Sequence, residues 1–506
     1  MTKSVTHYFG LALDRITRTP RILIPYLFTM ALPVVIWSIV VTVLILIFLP
    51  FAGGIADFLE ENEDWVFDEY TDQKEYEKKF EENILENDLL AEFQVMEILL
   101  LITLPIIFII SLLLYSYIGG GTIGYVCLST ATGSSGMRFK NFLFYARKYF
   151  LRLFALNLLK ILVFALCVSP IFIIALIEPD IVALLLVIIV PVLMLLFFFL
   201  FFTDEYIVIE NLGVIDSITK SAGFVRNNFS SVVFFIFILI AVWVVYIIVF
   251  ISSEAIAITF NSNISPMFYF LEALVISPWI HIAKITFFME RTNWNFRPVT
   301  EKRFNGIKYM WVIFRNSPNI LKNFLICNLH YVFCVLAFCV TGFVIGYYMG
   351  SEFSFLGDDL MDFLILGEKE SFFGYVSMPF IDTLWYFFNN SSVAIGTAFG
   401  GLFFGGVPAV LEMVINSCIV GAVYGILPFK ITTAIIMPHG PFELFAFFIS
   451  GVAGLKLGVH FITSSDNIDK VFDETLRIMF IVILFLVIAA FLEAFITPLL
   501  IHVVLG

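Results

Sequence analysis

Residues 22–49 read ILIPYLFTMALPVVIWSIVVTVLILIFL, a run without a single charged side chain. Similar runs recur along nearly the whole chain, and about 20 apolar residues are enough for a helix to cross a bilayer. Backbone N–H and C=O groups find no water in lipid, so a spanning segment must be a helix or part of a closed barrel. Because uninterrupted apolar runs lack the alternation of barrel strands, the sequence predicts an all-α polytopic membrane protein.

The composition of the whole chain agrees with this class. Of its 506 residues, 61% are hydrophobic and 14% are charged, whereas about 25% of the residues of a soluble protein are charged. The net charge of −13 comes entirely from residues 57–97, where sixteen Asp and Glu residues accompany three Lys residues. Since no basic stripe remains elsewhere, we expect no nucleic-acid partner.

Basic residues predict the orientation of the spans, because Lys and Arg are enriched on the cytoplasmic side of a membrane. Arg15, Arg18 and Arg21 precede the first span. We therefore expect a multi-pass plasma-membrane protein with a cytoplasmic N-terminus. The acidic segments 57–97 and 352–370 then lie outside the cytoplasm.

About eleven spans are predicted, in two bundles of about six and five. The N-terminal domain, 1–300, contains six spans and an acidic external loop or helix at 57–97. The C-terminal domain, 301–506, contains the other five, the last of them at 477–505. Residues 391–427 are divided into two short spans, since the glycines and the proline of GGLFFGGVP interrupt a helix. The sequence alone leaves a single longer span open.

Scarce polar side chains stand in or beside the last spans, where an ionisable group is costly unless it faces a partner. We predict that they converge in one intramembrane cluster, with a structural or a functional role: Asn389, Asn390, Glu412, Asn416, His439, Glu443 and Glu493. Glycines of the same region are predicted to permit close helix packing rather than phosphate binding: Gly421, Gly425, Gly451, Gly454 and Gly458.

Two ionisable residues of the sixth span need a similar explanation. Lys284 is expected to extend to the inner membrane surface, where its ammonium group is hydrated. His281 is expected to hydrogen-bond to a neighbouring helix.

The segment MPHGPFE, residues 437–443, places His439 and Glu443 four residues apart. In a structural interpretation Gly440 caps a helix, Pro441 is its first residue, and the Glu443 carboxylate reaches free backbone N–H groups. In a functional interpretation the two side chains form a proton relay or half of a metal site, although such sites normally need three or four protein ligands. We favour the structural interpretation.

No established catalytic pattern accompanies this segment. The sequence contains no nucleotide-binding loop, no Ser/His/Asp set, no Cys-x-x-Cys pair and no multi-histidine motif. We therefore assign no catalytic residue, no cofactor and no metal site.

The C-terminal region resembles the stage II sporulation protein M family over about residues 379–506. The likeness follows the order NNSSVAIGTAFGGLFFGG, LEMVINSCIVGAVYG, MPHGPFELFAFFISGVAGLKLG and FLEAFITPLL. Its strongest positions are Asn389, Asn390, Asn416, Gly421, Pro438, His439, Gly440, Glu443 and Glu493. That resemblance implies a prokaryotic integral membrane protein, in a family whose named member acts with peptidoglycan-degrading partners.

Residues 1–300 resemble the membrane domain found beside glycerophosphodiester phosphodiesterases, mainly through YIVIENLGVIDSITKSAGFVRNNF, residues 206–229. The sequence shows no soluble phosphodiesterase domain, so that activity is not expected.

Three function classes follow from these features. We favour a non-enzymatic scaffold of the cell envelope, which contacts the lipid bilayer and binds other envelope proteins that remodel the wall. The alternative is a transporter or channel component, which needs a water-accessible cavity beside Glu412 or Glu493. The least favoured is an intramembrane metal-dependent hydrolase, which needs three convergent ligands or an acid–base pair open to water.

Overall fold

The protein's fold is seen in a computed structural model that describes residues 4–61, 90–133, 137–177, 182–259, 262–294, 303–357, 379–463 and 467–505. Every regular element in these ranges is helical. Ten helical segments there are long and apolar enough to cross a membrane. The predicted all-α polytopic membrane fold is confirmed. In the two acidic segments, residues 62–89 and 358–370 lie outside the described residues, whereas residues 57–61 and 90–97 are helical.

Eleven helices are described before residue 300. They are α1 Val5–Arg18, α2 Ile24–Phe48, α3 Ala52–Glu61, α4 Leu90–Thr132, α5 Phe139–Ile177, α6 Val182–Leu200, α7 Thr203–Ile209, α8 Val214–Asn227, α9 Phe229–Thr259, α10 Ser265–Leu271 and α11 Ser277–Arg291. A π-helical turn at Glu272–Ile276 joins the last two.

Eight more helices are described after residue 300. They are α12 Gly306–Cys327, α13 Leu329–Glu352, α14 Pro379–Gly400, α15 Val407–Ile426, α16 Phe429–Ile436, α17 Gly440–Thr463, α18 Ile468–Phe495 and α19 Thr497–Leu505. The predicted last span, 477–505, is wrong as a single helix, because the chain breaks between α18 and α19. Pro498 explains the break, since it has no backbone N–H to donate to residue 494.

The described helices form two compact units. The first unit comprises residues 1–32, 110–252 and 269–307, and the second comprises 33–109, 253–268 and 308–506. The units therefore interleave along the sequence, and the division into domains at residue 300 stays a prediction.

Aromatic side chains fill the core of the first unit. Phe202 is fully buried, and its ring lies 4.8 Å from that of Phe224 and within 5.9 Å of Phe287 and Phe288. Rings at these separations attract one another beyond the effect of their buried area. This cluster fixes α8 and α11 against the short helix α7.

A buried ion pair lies beside this aromatic core. Lys284 Nζ is 2.9 Å from Oε1 of the fully buried Glu205, and it stands 4.5 Å from the centre of the Phe201 ring. Glu205 therefore compensates the charge of Lys284 inside the unit, and the predicted extension of Lys284 to the inner membrane surface stays a prediction. His281 Nδ1 lies 3.1 Å from the Tyr26 hydroxyl on α2, as expected for a bond to a neighbouring helix.

Glycines bring helix backbones into contact in the second unit. A Cβ atom at Gly346 of α13 would collide with the carbonyl oxygen of Cys418 on α15. Gly421 and Gly425 of α15 face the backbone of α13 at Phe343 and Tyr347 in the same way. Close approach of this kind maximises van der Waals contact where lipid provides no hydrophobic driving force.

A second close approach occurs where α14 ends. Cβ atoms at Gly401 and Gly454 would each collide with backbone of the facing segment, and one at Gly458 would collide with the Gly401 carbonyl oxygen. Gly451 packs against the Met413 side chain. Phe404, Gly405 and Gly406 then adopt positive φ values of 50°, 70° and 97°. This left-handed turn divides residues 391–427 between α14 and α15.

The α13/α15 contact yields a stability prediction. Gly346→Ala should destabilise the protein by about 1–3 kcal/mol, because the added methyl group forces two backbones apart. The matched change Gly223→Ala, in α8, adds the same atom where nothing lies within 4 Å. It should be neutral or slightly stabilising, since Ala favours a helix over Gly. Thermal unfolding in detergent compares the two; equal melting temperatures would contradict this account of the interface.

Candidate functional site

His439, Glu443 and Glu493 meet at one end of α17 and α18; we call them the His–Glu triad. His439 Nε2 lies 3.9 Å from Glu443 Oε2 and 3.9 Å from Glu493 Oε1. One ligand atom from each of the three residues falls within 4.8 Å of the other two. Their side chains are only 12–19% exposed. Three side chains that can bind metal therefore share one mostly buried space.

The start of α17 positions two members of the triad. The His439 carbonyl oxygen accepts hydrogen bonds from the backbone N–H groups of Phe442 and Glu443, at 3.0 and 3.1 Å. Glu443 falls in the first turn, where the helix dipole stabilises negative charge. The helix begins at Gly440, one residue away from the predicted start. The Glu443 carboxylate lies beside the imidazole rather than on the backbone N–H groups, so the predicted side-chain cap is not among the described hydrogen bonds.

The break between α18 and α19 determines the direction in which His439 presents its second nitrogen. Thr497, the first residue of α19, has its hydroxyl oxygen 3.1 Å from His439 Nδ1 and 3.4 Å from the Leu492 carbonyl oxygen. Which of the two atoms, the hydroxyl oxygen or Nδ1, donates to the other depends on the tautomer of the imidazole. In either tautomer this contact leaves Nε2 as the ring nitrogen that faces the two carboxyl groups.

Burial shapes the chemistry of the triad. It lowers the pKa of His439 below the ordinary value for histidine, which favours the neutral imidazole. Glu493 Oε2 is buried without a hydrogen-bond partner among the described residues. A buried polar atom of this kind is rare enough to need an explanation.

The other predicted cluster residues make separate contacts. Glu412 is only 4% exposed; it accepts a hydrogen bond from the Ser38 hydroxyl and another, of 3.2 Å, from the Asn416 amide. Asn389 donates to Asn390 at 3.2 Å. The structure thus joins three of the seven predicted residues in the triad and joins Glu412 to Asn416 in a second group.

An open groove lies in the same unit, with a volume of about 390 Å³. Its lining comprises Ile258, Ser262, Asn263, Asp382, Trp385 and Tyr386; we call it the tryptophan groove. Ser262 donates a hydrogen bond to Asp382. Tyr386 is within electrostatic reach of both Glu443 and Glu493. The groove and the triad therefore share a neighbour.

Four contributors to these sites were not singled out from the sequence: Ser38, Asp382, Tyr386 and Thr497. The only sequence feature that marks Ser38 is its hydroxyl group within an apolar run. Its carboxylate partner, Glu412, is 374 residues away. The proline after Thr497 was the available signal for the helix break that positions that hydroxyl.

The second half of the chain is similar to a known protein family. Residues 334–498 match the family model of stage II sporulation protein M. An uncharacterised protein of Methanocaldococcus jannaschii is 35% identical over 121 residues, which is 22% of this chain and 67% of that protein. The chain belongs to the stage II sporulation protein M family. The whole His–Glu triad and Thr497 lie inside the region that matches the stage II sporulation protein M model.

Other comparisons concern the first half of the chain and the fold. Residues 93–285 match the model of a domain of unknown function. Neither match shows the likeness to glycerophosphodiester phosphodiesterases expected for residues 1–300. No solved structure matches the chain.

The environment of Glu412 yields a second prediction. Ser38→Ala should cost about 1–3 kcal/mol, because it leaves a buried carboxylate oxygen without its donor. Thr42→Ala removes a hydroxyl one turn further along α2, where the hydroxyl bonds only to the Ser38 carbonyl oxygen of its own helix. That control should change stability by less. Thermal unfolding of both variants tests the ranking, and a larger effect at Thr42 would refute it.

Proposed function

We propose that this integral membrane protein is a scaffold of a prokaryotic cell envelope, which binds other envelope proteins at its outer face. The proposal includes a plasma-membrane location and a cytoplasmic N-terminus. In that orientation residues 258–263 and 379–386 lie on the outer side, where a partner from the envelope can reach them.

The tryptophan groove is the observation that carries this proposal. It combines the Asp382 carboxylate with the rings of Trp385 and Tyr386. A carboxylate beside aromatic rings suits an Arg or Lys side chain, through a charge-assisted hydrogen bond and cation–π attraction. We expect a partner that inserts a basic side chain.

Packing around Glu412 also favours a scaffold over a transporter. The Glu412 carboxylate is buried and has hydrogen-bond donors from Ser38 and Asn416, so it is part of a closed structure rather than a lining of a path. The α13 and α15 backbones touch through Gly346 and Gly421, and interfaces packed this tightly resist the sliding that alternating access requires.

Site-specific crosslinking tests the partner. A photoreactive phenylalanine analogue at Ile258, which lines the groove, should crosslink reproducibly to one envelope protein in native membranes. The same analogue at Ile256 is the control, because Ile256 is also on α9 and similarly exposed, at 58% against 66%, but is outside the groove lining. Asp382→Asn should weaken the crosslink at Ile258.

Two results would count against the scaffold. One is an identical set of crosslinked proteins at both isoleucines, which indicates lipid-phase collisions. The other is no reproducible partner combined with ion flux in proteoliposomes, which favours the transport alternative.

Cysteine labelling tests the orientation independently. In a background without the six native cysteines, Thr71→Cys should react with a membrane-impermeant maleimide on intact cells, since residues 57–97 are predicted to be external. Ser4→Cys should react only after the membrane is permeabilised. The reverse pattern would overturn the topology.

A further inference from the structure

We propose that His439, Glu443 and Glu493 form a binding site for a divalent transition-metal ion, such as Zn²⁺ or Mn²⁺. This inference goes beyond the scaffold role and does not depend on it. It assigns a ligand to the triad, for which the sequence analysis predicted no metal.

The first argument comes from three ligand atoms that do not satisfy one another. The Thr497 hydroxyl lies 3.1 Å from Nδ1 of His439, so Nε2 is the ring nitrogen that faces the two carboxyl groups. Nε2 lies 3.9 Å from an oxygen of Glu443 and 3.9 Å from an oxygen of Glu493, which is too long for a hydrogen bond. A shared cation would give all three atoms a partner in a poorly solvated space.

The separations are close to those that a metal site requires. Zn–N and Zn–O bonds of about 2.0–2.2 Å at tetrahedral angles place ligand atoms about 3.4 Å apart. The three atoms here lie within 4.8 Å of one another. Side-chain movements of about 1 Å would therefore bring all three within bonding distance of one ion. His439 directly precedes α17 and Glu443 lies in its first turn, so these two ligands are already side by side.

The residues around the triad provide the hydrogen bonds that normally support metal ligands. The hydrogen bond between Nδ1 and the Thr497 hydroxyl orients the imidazole ring, as the outer shell of a metal-bound histidine usually does. Glu493 Oε2 is buried without a donor among the described residues, and it is available to bind the ion or to hold a bound water.

Ligand type selects the class of ion. One imidazole and two carboxylates suit Zn²⁺, Mn²⁺ or Fe²⁺, whereas Ca²⁺ and Mg²⁺ favour sites made wholly of oxygen atoms. Three protein ligands leave a fourth position for water.

Glu412 provides a matched control within the same unit. It is a buried carboxylate on a neighbouring helix, but its oxygens have donors from Ser38 and Asn416. Glu412→Gln therefore replaces one buried carboxyl group with an amide, as Glu493→Gln does, without touching the triad.

The test measures Zn²⁺ binding to the full-length protein in detergent. The protein is stripped with a chelator and dialysed against Zn²⁺ alone, and bound metal is measured by mass spectrometry. Wild type and Glu412→Gln should bind roughly one ion per chain more than Glu493→Gln and His439→Gln, since loss of a ligand from a three-ligand site should weaken binding at least about tenfold. The difference between variants is the readout, because exposed carboxylates and thiols bind zinc weakly everywhere on the chain.

A second measurement covers variants that fold poorly. Zn²⁺ should raise the melting temperature of wild type and of Glu412→Gln, because a ligand that binds only the folded state stabilises it, and should leave Glu493→Gln unchanged. Equal metal content in all four proteins, or an equal thermal shift in Glu412→Gln and Glu493→Gln, would overturn the site. Neither result bears on crosslinking at Ile258, so the two proposals can fail separately.

Discussion

Hydrocarbon offers no hydrogen bonds, and this constraint governs the fold from the backbone to the sites. Each N–H and C=O group must find its partner within the chain, which leaves the helix as the regular element of the described residues. The same constraint acts on side chains. Glu205 is fully buried, and Lys284 compensates its charge at 2.9 Å. Glu412 takes donors from two helices. A polar group inside these units is therefore informative, because its partners reveal what holds it there.

Close packing is the second consequence of the same environment. Lipid is as apolar as leucine, so helices gain stability in a membrane through contact rather than through exclusion of water. Gly346 and Gly421 let α13 and α15 touch at the backbone. The turn at 404–406, with three consecutive residues at positive φ, then sets α15 against α17 at a distance that only small residues permit. This packing gives the second unit a rigid frame in which the triad side chains are held.

The apolar runs were sufficient to predict the membrane class and most helices, because length and hydropathy decide whether a segment can span lipid. The division near residue 404 followed from the four glycines and the proline within residues 400–408, which together interrupt a helix. Contacts between distant segments could not be predicted in the same way. Ser38 meets Glu412 across 374 residues, and Lys284 pairs with Glu205 of the short helix α7. These pairings depend on which faces of the helices contact one another. That arrangement results from the packing of the whole unit, and a single sequence contains no direct signal of it.

The contrast between the carboxylates of the second unit separates structural from functional interpretations of buried charge. Glu412 is surrounded by donors, so its burial is explained by hydrogen bonds that the chain itself supplies. Glu443 and Glu493 each lie 3.9 Å from Nε2 of His439, and the Thr497 hydroxyl lies 3.1 Å from the opposite ring nitrogen. Because both groups occur in one unit, a general tolerance for buried acids does not explain the difference. The helix break at Ile496 creates it, since a continuous helix would not present Thr497 to His439. Pro498, which interrupts the last span, thus also places the Thr497 hydroxyl beside His439.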